Sequence, residues 1–205
     1  MNLLSGVGAI AFDLDMTLVD SRPVSRRALE RLVSEHAIDL DVQALMSAYG
    51  LPLSQWLPPD VDAALFRTVQ SQHISSVVPM PGAEAAVHAV RQIGARVVVV
   101  TAAPERIAAP MLAAAGMVAD RLWTDVWADG KVAPLREDRC SAFVGDHPDD
   151  MSAARQAGAI AIGVGTGTTP PIGADVTLES LREFPSWLST LRPPSAPAGT
   201  ARLRG

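Results

Sequence analysis

Ala9-Ile10-Ala11-Phe12-Asp13-Leu14-Asp15-Met16-Thr17 sets four apolar residues directly before two carboxylates, spaced two apart, and a threonine. An apolar run this short fits a buried strand, so the carboxylates fall where that strand ends. The pattern recurs. Val97–Val100 runs into Thr101-Ala102, Leu122–Val126 leads into a loop carrying Lys131, and Ala142–Val144 runs into Gly145-Asp146-His147-Pro148-Asp149-Asp150. Ala159–Val164 is a fifth such run. Helix-length stretches lie between the later runs: Gly82–Gly94, Glu105–Gly116 with Pro110 inside it, and Asp149–Gly158. Each closes on a glycine suited to the positive φ of a helix C-terminus. This alternation specifies an α/β fold built on a Rossmann-like parallel sheet. Ligands of such sheets bind beyond the carboxyl ends of the strands, which gathers these carboxylates, a hydroxyl and an ammonium in one crevice. Like charges crowded there need a cation, and an all-oxygen donor set suits Mg²⁺.

Residues 22–81 break the alternation. Ser21 and Pro23 can start a helix with Ala28, Leu29, Leu32 and Val33 on one face. Asp41 can cap a second helix that stops at Gly50, and Pro58-Pro59-Asp60 can start a third with Val61, Leu65 and Val69 along one side. No strand-like run stands out. The expectation is a small all-helical insert at 22–81 in a core made of 1–21 and 82–191. The Pro/Ala/Gly-rich stretch 192–205 is expected to be a disordered tail.

A chain of 205 residues, 48% hydrophobic, can bury a core of good size together with a small insert. Its net charge of −5 and scattered arginines carry no footprint for nucleic acid. No apolar run has the length to span a bilayer. The apolar start lacks a basic leader and reads as a strand rather than a signal peptide. The single cysteine, Cys140, forms no internal disulfide and fits a reducing, cytoplasmic setting. Among 17 basic residues Lys131 is the only lysine. A chain that uses arginine everywhere else has kept a compact ammonium at one place.

Asp13-Leu14-Asp15-Met16-Thr17-Leu18-Val19-Asp20-Ser21 resembles the first motif of the haloacid dehalogenase superfamily in its phosphatase form. Val97–Thr101 resembles the second motif, Gly130-Lys131 the third, and Gly145-Asp146 through Asp150 the fourth, G-D-x-x-x-D. Residues 22–81 fall where this family places a small helical cap. Pro79-Met80-Pro81-Gly82 resembles the entry to the following helix in phosphoglycolate-phosphatase-like members. The resemblance extends to about Leu191. Three positions depart from it: Met16 stands where glycine is common, Ala102 where a polar residue is frequent, and Val132 where proline is common.

The resemblance implies a phosphatase acting on a small-molecule phosphate ester. It assigns Asp13 as the nucleophile, forming an aspartyl-phosphate, and Asp15 as the acid that protonates the leaving oxygen and then activates water. A carboxylate at position 15 favours phosphate chemistry over dehalogenation, because ejected halide needs no proton. Mg²⁺ would be held by Asp13, the backbone carbonyl of Asp15, and Asp146, with Asp150 orienting that shell. Thr101 would bind phosphoryl oxygens and Lys131 would offset negative charge, with Thr17 and Ala102 among the substrate contacts. The Gly50-Leu51-Pro52 turn, with Gln55 and Trp56 after it, would face the substrate; equally, Trp56 could pack the insert's own core. His147 adjoins Asp146 and could touch a leaving group, though it reads first as a solvent-facing residue of the fourth motif. Trp123 and Trp127 read as packing, and Gly163–Gly167 as a loop near the site. An EF-hand reading fails, since Leu18 occupies the glycine position and Val24 the terminal glutamate position. Phosphomutase or phosphotransferase activity on the same fold stays open, as does a receiver-like or non-catalytic phosphate-binding protein.

Overall fold

The computed structural model describes residues 8–51, 53–165 and 171–191, so the expectation for 192–205 lies outside the described residues. In chain order the elements are β1 (Ala9–Phe12), β2 (Val19–Asp20), α1 (Arg22–His36), α2 (Val42–Ser47), α3 (Leu53–Trp56), α4 (Ala63–Ser71) and β3 (Val78–Pro79). There follow α5 (Ala83–Gln92), β4 (Arg96–Val100), α6 (Glu105–Ala114), β5 (Arg121–Trp123), α7 (Val132–Glu137), β6 (Cys140–Gly145), α8 (Pro148–Ala157), β7 (Ile160–Val164), β8 (Val176–Leu178) and α9 (Phe184–Thr190).

Six strands form one parallel sheet in the order β5-β4-β1-β6-β7-β8. Both faces are covered. Ile10, Phe12, Val97 and Val99 pack into one apolar cluster, while Ala9, Ala11, Val98 and Val100 pack into the other. Burial on both sides explains why the strands read as unbroken apolar runs and do not alternate. β1 lies centrally, with Phe12 beside Val99 on one neighbour and Val144 on the other. The strand order reverses there, so the crevice opens at the end of β1.

The later helices end as expected, with Gly94, Gly116 and Gly158 at φ of 77°, 72° and 79°. β5 is shorter than the apolar run Leu122–Val126. Asp125 takes a φ of 58°, and the Val126 N–H donates to the Thr101 carbonyl, so the chain folds back over the end of β4. β8 was not anticipated, since three residues offer too little period to read.

The insert between β1 and β4 is helical, with two corrections. Its exit does contain a strand: β3 pairs antiparallel with β2, Val19 against Pro79 and Asp20 against Val78, tying the two connections together. The third expected helix starts later, at Ala63, because Asp62 and not Asp60 accepts from the backbone N–H two residues on. The short α3 precedes it, within the stretch read as a loop. Asp41 caps α2 as expected, though that helix ends at Ser47, short of Gly50. Ala28, Leu29 and Leu32 join Met46, Trp56, Leu57, Val61, Phe66 and Val69 in a separate core, whereas Val33 turns outward at 38% exposure. No described helix is long and apolar enough to cross a membrane.

Candidate active site

Asp13 extends β1 by one residue, its N–H donating to the Val144 carbonyl at 2.8 Å. Leu14 is fully buried and its carbonyl receives the N–H groups of Leu18 and Val19, which folds the chain into a tight loop and presents Asp15 at the crevice. Met16 in that loop holds a φ of 62°, the left-handed region that glycine occupies without strain. Its side chain is nevertheless buried. Thr101 follows β4, and its Oγ1 accepts from the Ala103 N–H at 3.1 Å.

Lys131 ends a tight helical turn, Ala128–Lys131, that follows β5. It is only 2% exposed. Its Nζ donates to Asp13 Oδ1 and to Asp150 Oδ1, each at 2.7 Å. The rings of Phe143 and Trp127 stand 5.5 and 5.7 Å from the ammonium. Asp150 lies in the first turn of α8, where its other oxygen accepts from the His147 N–H while His147 Nδ1 accepts from the Asp149 N–H. This reciprocal cap fixes both residues. Gly145 makes room for it, because a Cβ there would overlap the Asp150 carboxylate.

One oxygen each of Asp13, Asp146 and Asp150 lies within 4.8 Å of the others. Burial pushes the Asp13 carboxyl well above the usual carboxylate range, and Asp150 and Asp146 add to this against the opposing pull of Lys131. Asp146 is pushed up to about 7, by burial first and then by Asp150. Burial works against the Lys131 charge, but Asp13 and Asp150 outweigh it and hold the ammonium protonated. Four carboxylates, counting Asp15, thus face one ammonium. Hard oxygen donors with surplus negative charge fit a divalent cation such as Mg²⁺.

Asp13, Asp15, Thr101, Ala102, Lys131, Asp146 and Asp150 line a single cleft, together with Gly50 and Trp56 of the insert. Thr17 lies beneath it, fully buried, with Oγ1 in a long hydrogen bond of 3.4 Å to Asp146. Gln55 is exposed and is not among the lining residues, and Pro52 lies outside the described residues. Trp56 belongs to the insert's core as well as the cleft wall: its Nε1 donates to the Leu45 carbonyl, and its ring meets Tyr49 and Phe66 edge-on.

Several lining residues escaped sequence reasoning, among them Ser25, Tyr49, Arg67, Gln70 and Trp127. Trp127 does pack, but against His147 at 5.1 Å, and the two rings line the cleft while the His147 side chain keeps 31% exposure. Trp127 stands four residues before the lone lysine, a spacing that could have flagged it. Tyr49, just past α2, and Arg67, on α4, carry no such signal, because polar residues in such an insert are ordinary. Of the Gly163–Gly167 segment, Gly163 and Val164 belong to β7, while Thr166 and Gly167 lie outside the described residues.

The family model described as haloacid dehalogenase-like hydrolase matches residues 10–155. A plasmid-borne phosphoglycolate phosphatase of Cupriavidus necator is 28% identical over 219 residues, spanning 90% of this chain and 94% of that protein. The phosphoglycolate phosphatase of Chromobacterium violaceum is 27% identical over 213 residues, spanning 88% and 96%. Among solved structures, CbbY of Rhodobacter sphaeroides in complex with phosphate superposes with a TM-score of 0.69 at 20% identity, over 87% of this chain and 96% of that one.

Proposed function

Because the chain belongs to the haloacid dehalogenase-like hydrolase family, we propose that it is a Mg²⁺-dependent phosphatase that hydrolyses a small phosphomonoester through an aspartyl-phosphate on Asp13. The observation that carries this reading is the pairing of Asp13 with a second carboxylate, Asp15, on the wall of the same cleft, next to a buried lysine bridging Asp13 and Asp150. In the first step an oxygen of Asp13 attacks phosphorus, the ester P–O bond breaks, and the leaving oxygen takes a proton from Asp15. In the second, Asp15 removes a proton from water, the water oxygen attacks phosphorus, and phosphate leaves with Asp13 restored. Lys131 fixes one oxygen of Asp13 and neutralises charge that would repel the incoming phosphoryl group. Thr101 and Thr17 serve the phosphoryl oxygens and the placement of Asp146 respectively. Asp13, Asp146 and the Asp15 carbonyl would hold Mg²⁺, with Asp150 orienting that set. The cation supplies charge stabilisation to the phosphoryl oxygens. Residues 22–81 act as a cap over a core of 1–21 and 82–191, and a reducing cytoplasm suits the lone buried cysteine.

The test is a panel of phosphomonoesters assayed with the purified protein for phosphate release. Turnover with Mg²⁺, its loss in EDTA and its return on adding Mg²⁺ are expected. Asp13→Asn should retain the fold and lose nearly all turnover, because an amide cannot attack phosphorus; substantial activity in that variant would overturn the reading.

A further inference from the structure

Arg67, on α4, is the cation that the insert brings to the cleft wall. Its Nη1 donates to Gln70 Oε1 at 2.8 Å. Gln70 is 2% exposed, and its amide nitrogen donates to Ser25 Oγ at 3.0 Å. Ser25 Oγ in turn meets Tyr49 Oη at 3.1 Å, and Tyr49 Oη meets Ser21 Oγ at 2.8 Å. Both serines are buried. With its nitrogen committed to Ser25, Gln70 must turn its carbonyl oxygen to Arg67. The chain of contacts therefore fixes the guanidinium through a neutral acceptor, and among the described residues this bond engages one nitrogen of a group with five N–H donors.

None of the ion pairs among the described residues includes Arg67. Burial holds its pKa below the usual arginine range, while Asp15 across the cleft pulls the other way and Arg106 adds further positive charge. A cation held partly out of water without a carboxylate partner is costly unless something supplies the anion. The cleft also encloses only about 100 Å³, against about 300–1,000 Å³ for pockets that take drug-sized ligands. An ester that fits this cleft with its phosphoryl group at Asp13 is therefore small, and Arg67 lines that same cleft.

We propose that Arg67 is a specificity-determining residue that receives a second anionic group, a carboxylate or a phosphate, on the molecule whose phosphoryl group sits at Asp13. The planar fork of arginine matches either group with two parallel hydrogen bonds. This rests on the phosphatase reading for the position of the first phosphoryl group, but its test is independent of turnover. Three non-hydrolysable phosphonates of matched length are titrated calorimetrically into the protein in saturating Mg²⁺. They are 3-phosphonopropionate, ethane-1,2-bisphosphonate and propylphosphonate, whose tail is neutral.

The wild-type protein is expected to prefer an anionic tail, and the tighter of the two identifies the group as carboxylate or phosphate. Arg67→Met should reduce that preference by about tenfold to a hundredfold, the range for a hydrogen-bonded charge pair, with Arg67→Lys in between. No preference in the wild-type protein, or a preference that survives in Arg67→Met, would overturn the proposal. If Arg67→Met does not fold, Arg67→Lys carries the comparison alone, and an undiminished preference there overturns it. A preference that depends on Arg67 in a protein that turns over no phosphomonoester would support this assignment while removing the phosphatase reading.

Discussion

Lys131 sits 2.7 Å from both Asp13 and Asp150 with almost no exposure, so its shape matters as much as its charge. A guanidinium is broader and planar, and would have to fit the same buried space between two carboxylates and the rings of Phe143 and Trp127. Lys131→Arg is expected to lower kcat/KM by about tenfold or more, which is about 1.4 kcal/mol of transition-state stabilisation. Lys131→Met removes the charge altogether and leaves the buried Asp13 and Asp150 side chains without their shared partner. Urea unfolding in EDTA should then show a loss of about 3–5 kcal/mol. The acidic cluster also sets a pH dependence. Asp146, pushed up to about 7, and Asp13, shifted the same way, hold protons in the metal-free fold that the unfolded chain releases at lower pH. The stability they contribute is present below the ordinary carboxylate pKa and is lost as pH rises through about 7. Mg²⁺ competes with those same protons. The rise in melting temperature on adding Mg²⁺ should therefore grow between about pH 5 and pH 8; a rise independent of pH would contradict this account.

At the scale of elements, two glycines with similar backbone angles serve different ends. Gly82 caps the N-terminus of α5 at a φ of 92°, and a Cβ there would overlap the backbone of Leu181 and Arg182 just before α9. Gly94 follows α5 at a φ of 77° with nothing near the space a Cβ would take. Gly82→Ala is expected to cost about 2–4 kcal/mol, combining left-handed strain with overpacking, while Gly94→Ala costs about 1 kcal/mol from strain alone. Denaturant midpoints of the two variants check the difference. The same contrast separates what each residue discloses in advance. A glycine after a helical run announces a C-terminus, as Gly94 does. That Gly82 also touches a segment a hundred residues away is a fact of packing. Likewise β1 could be read to the residue, because four apolar residues followed by a carboxylate bound it on one side. The pairing of β2 with β3 could not, since two residues show no period and their partners lie far apart in the chain.

Across the whole molecule, the insert has its own apolar core and meets the sheet domain at the cleft. Trp56 belongs to both, lying between Tyr49 at 5.2 Å and Phe66 at 5.6 Å while lining the cleft. Trp56→Ala should lower stability by about 3–5 kcal/mol, as for other buried aromatics, and reduce turnover on every ester alike. Unchanged unfolding with altered substrate preference would assign the ring to the leaving group instead. The sequence by itself determined the sheet type, the placing of Asp13, Asp15, Thr101 and Asp146 just beyond strand ends, and the helical character of most of residues 22–81. Those properties are local: burial on both faces makes a strand continuously apolar, and the residue after a strand is its neighbour along the chain. Only the tertiary structure decided that Lys131, 118 residues from Asp13, bridges it to Asp150. It alone brought Arg67 and Tyr49 to the opposite wall and carried Gln55 away from it. Such meetings depend on how helices pack and where loops turn back, as at Asp125, and no spacing along one chain encodes them.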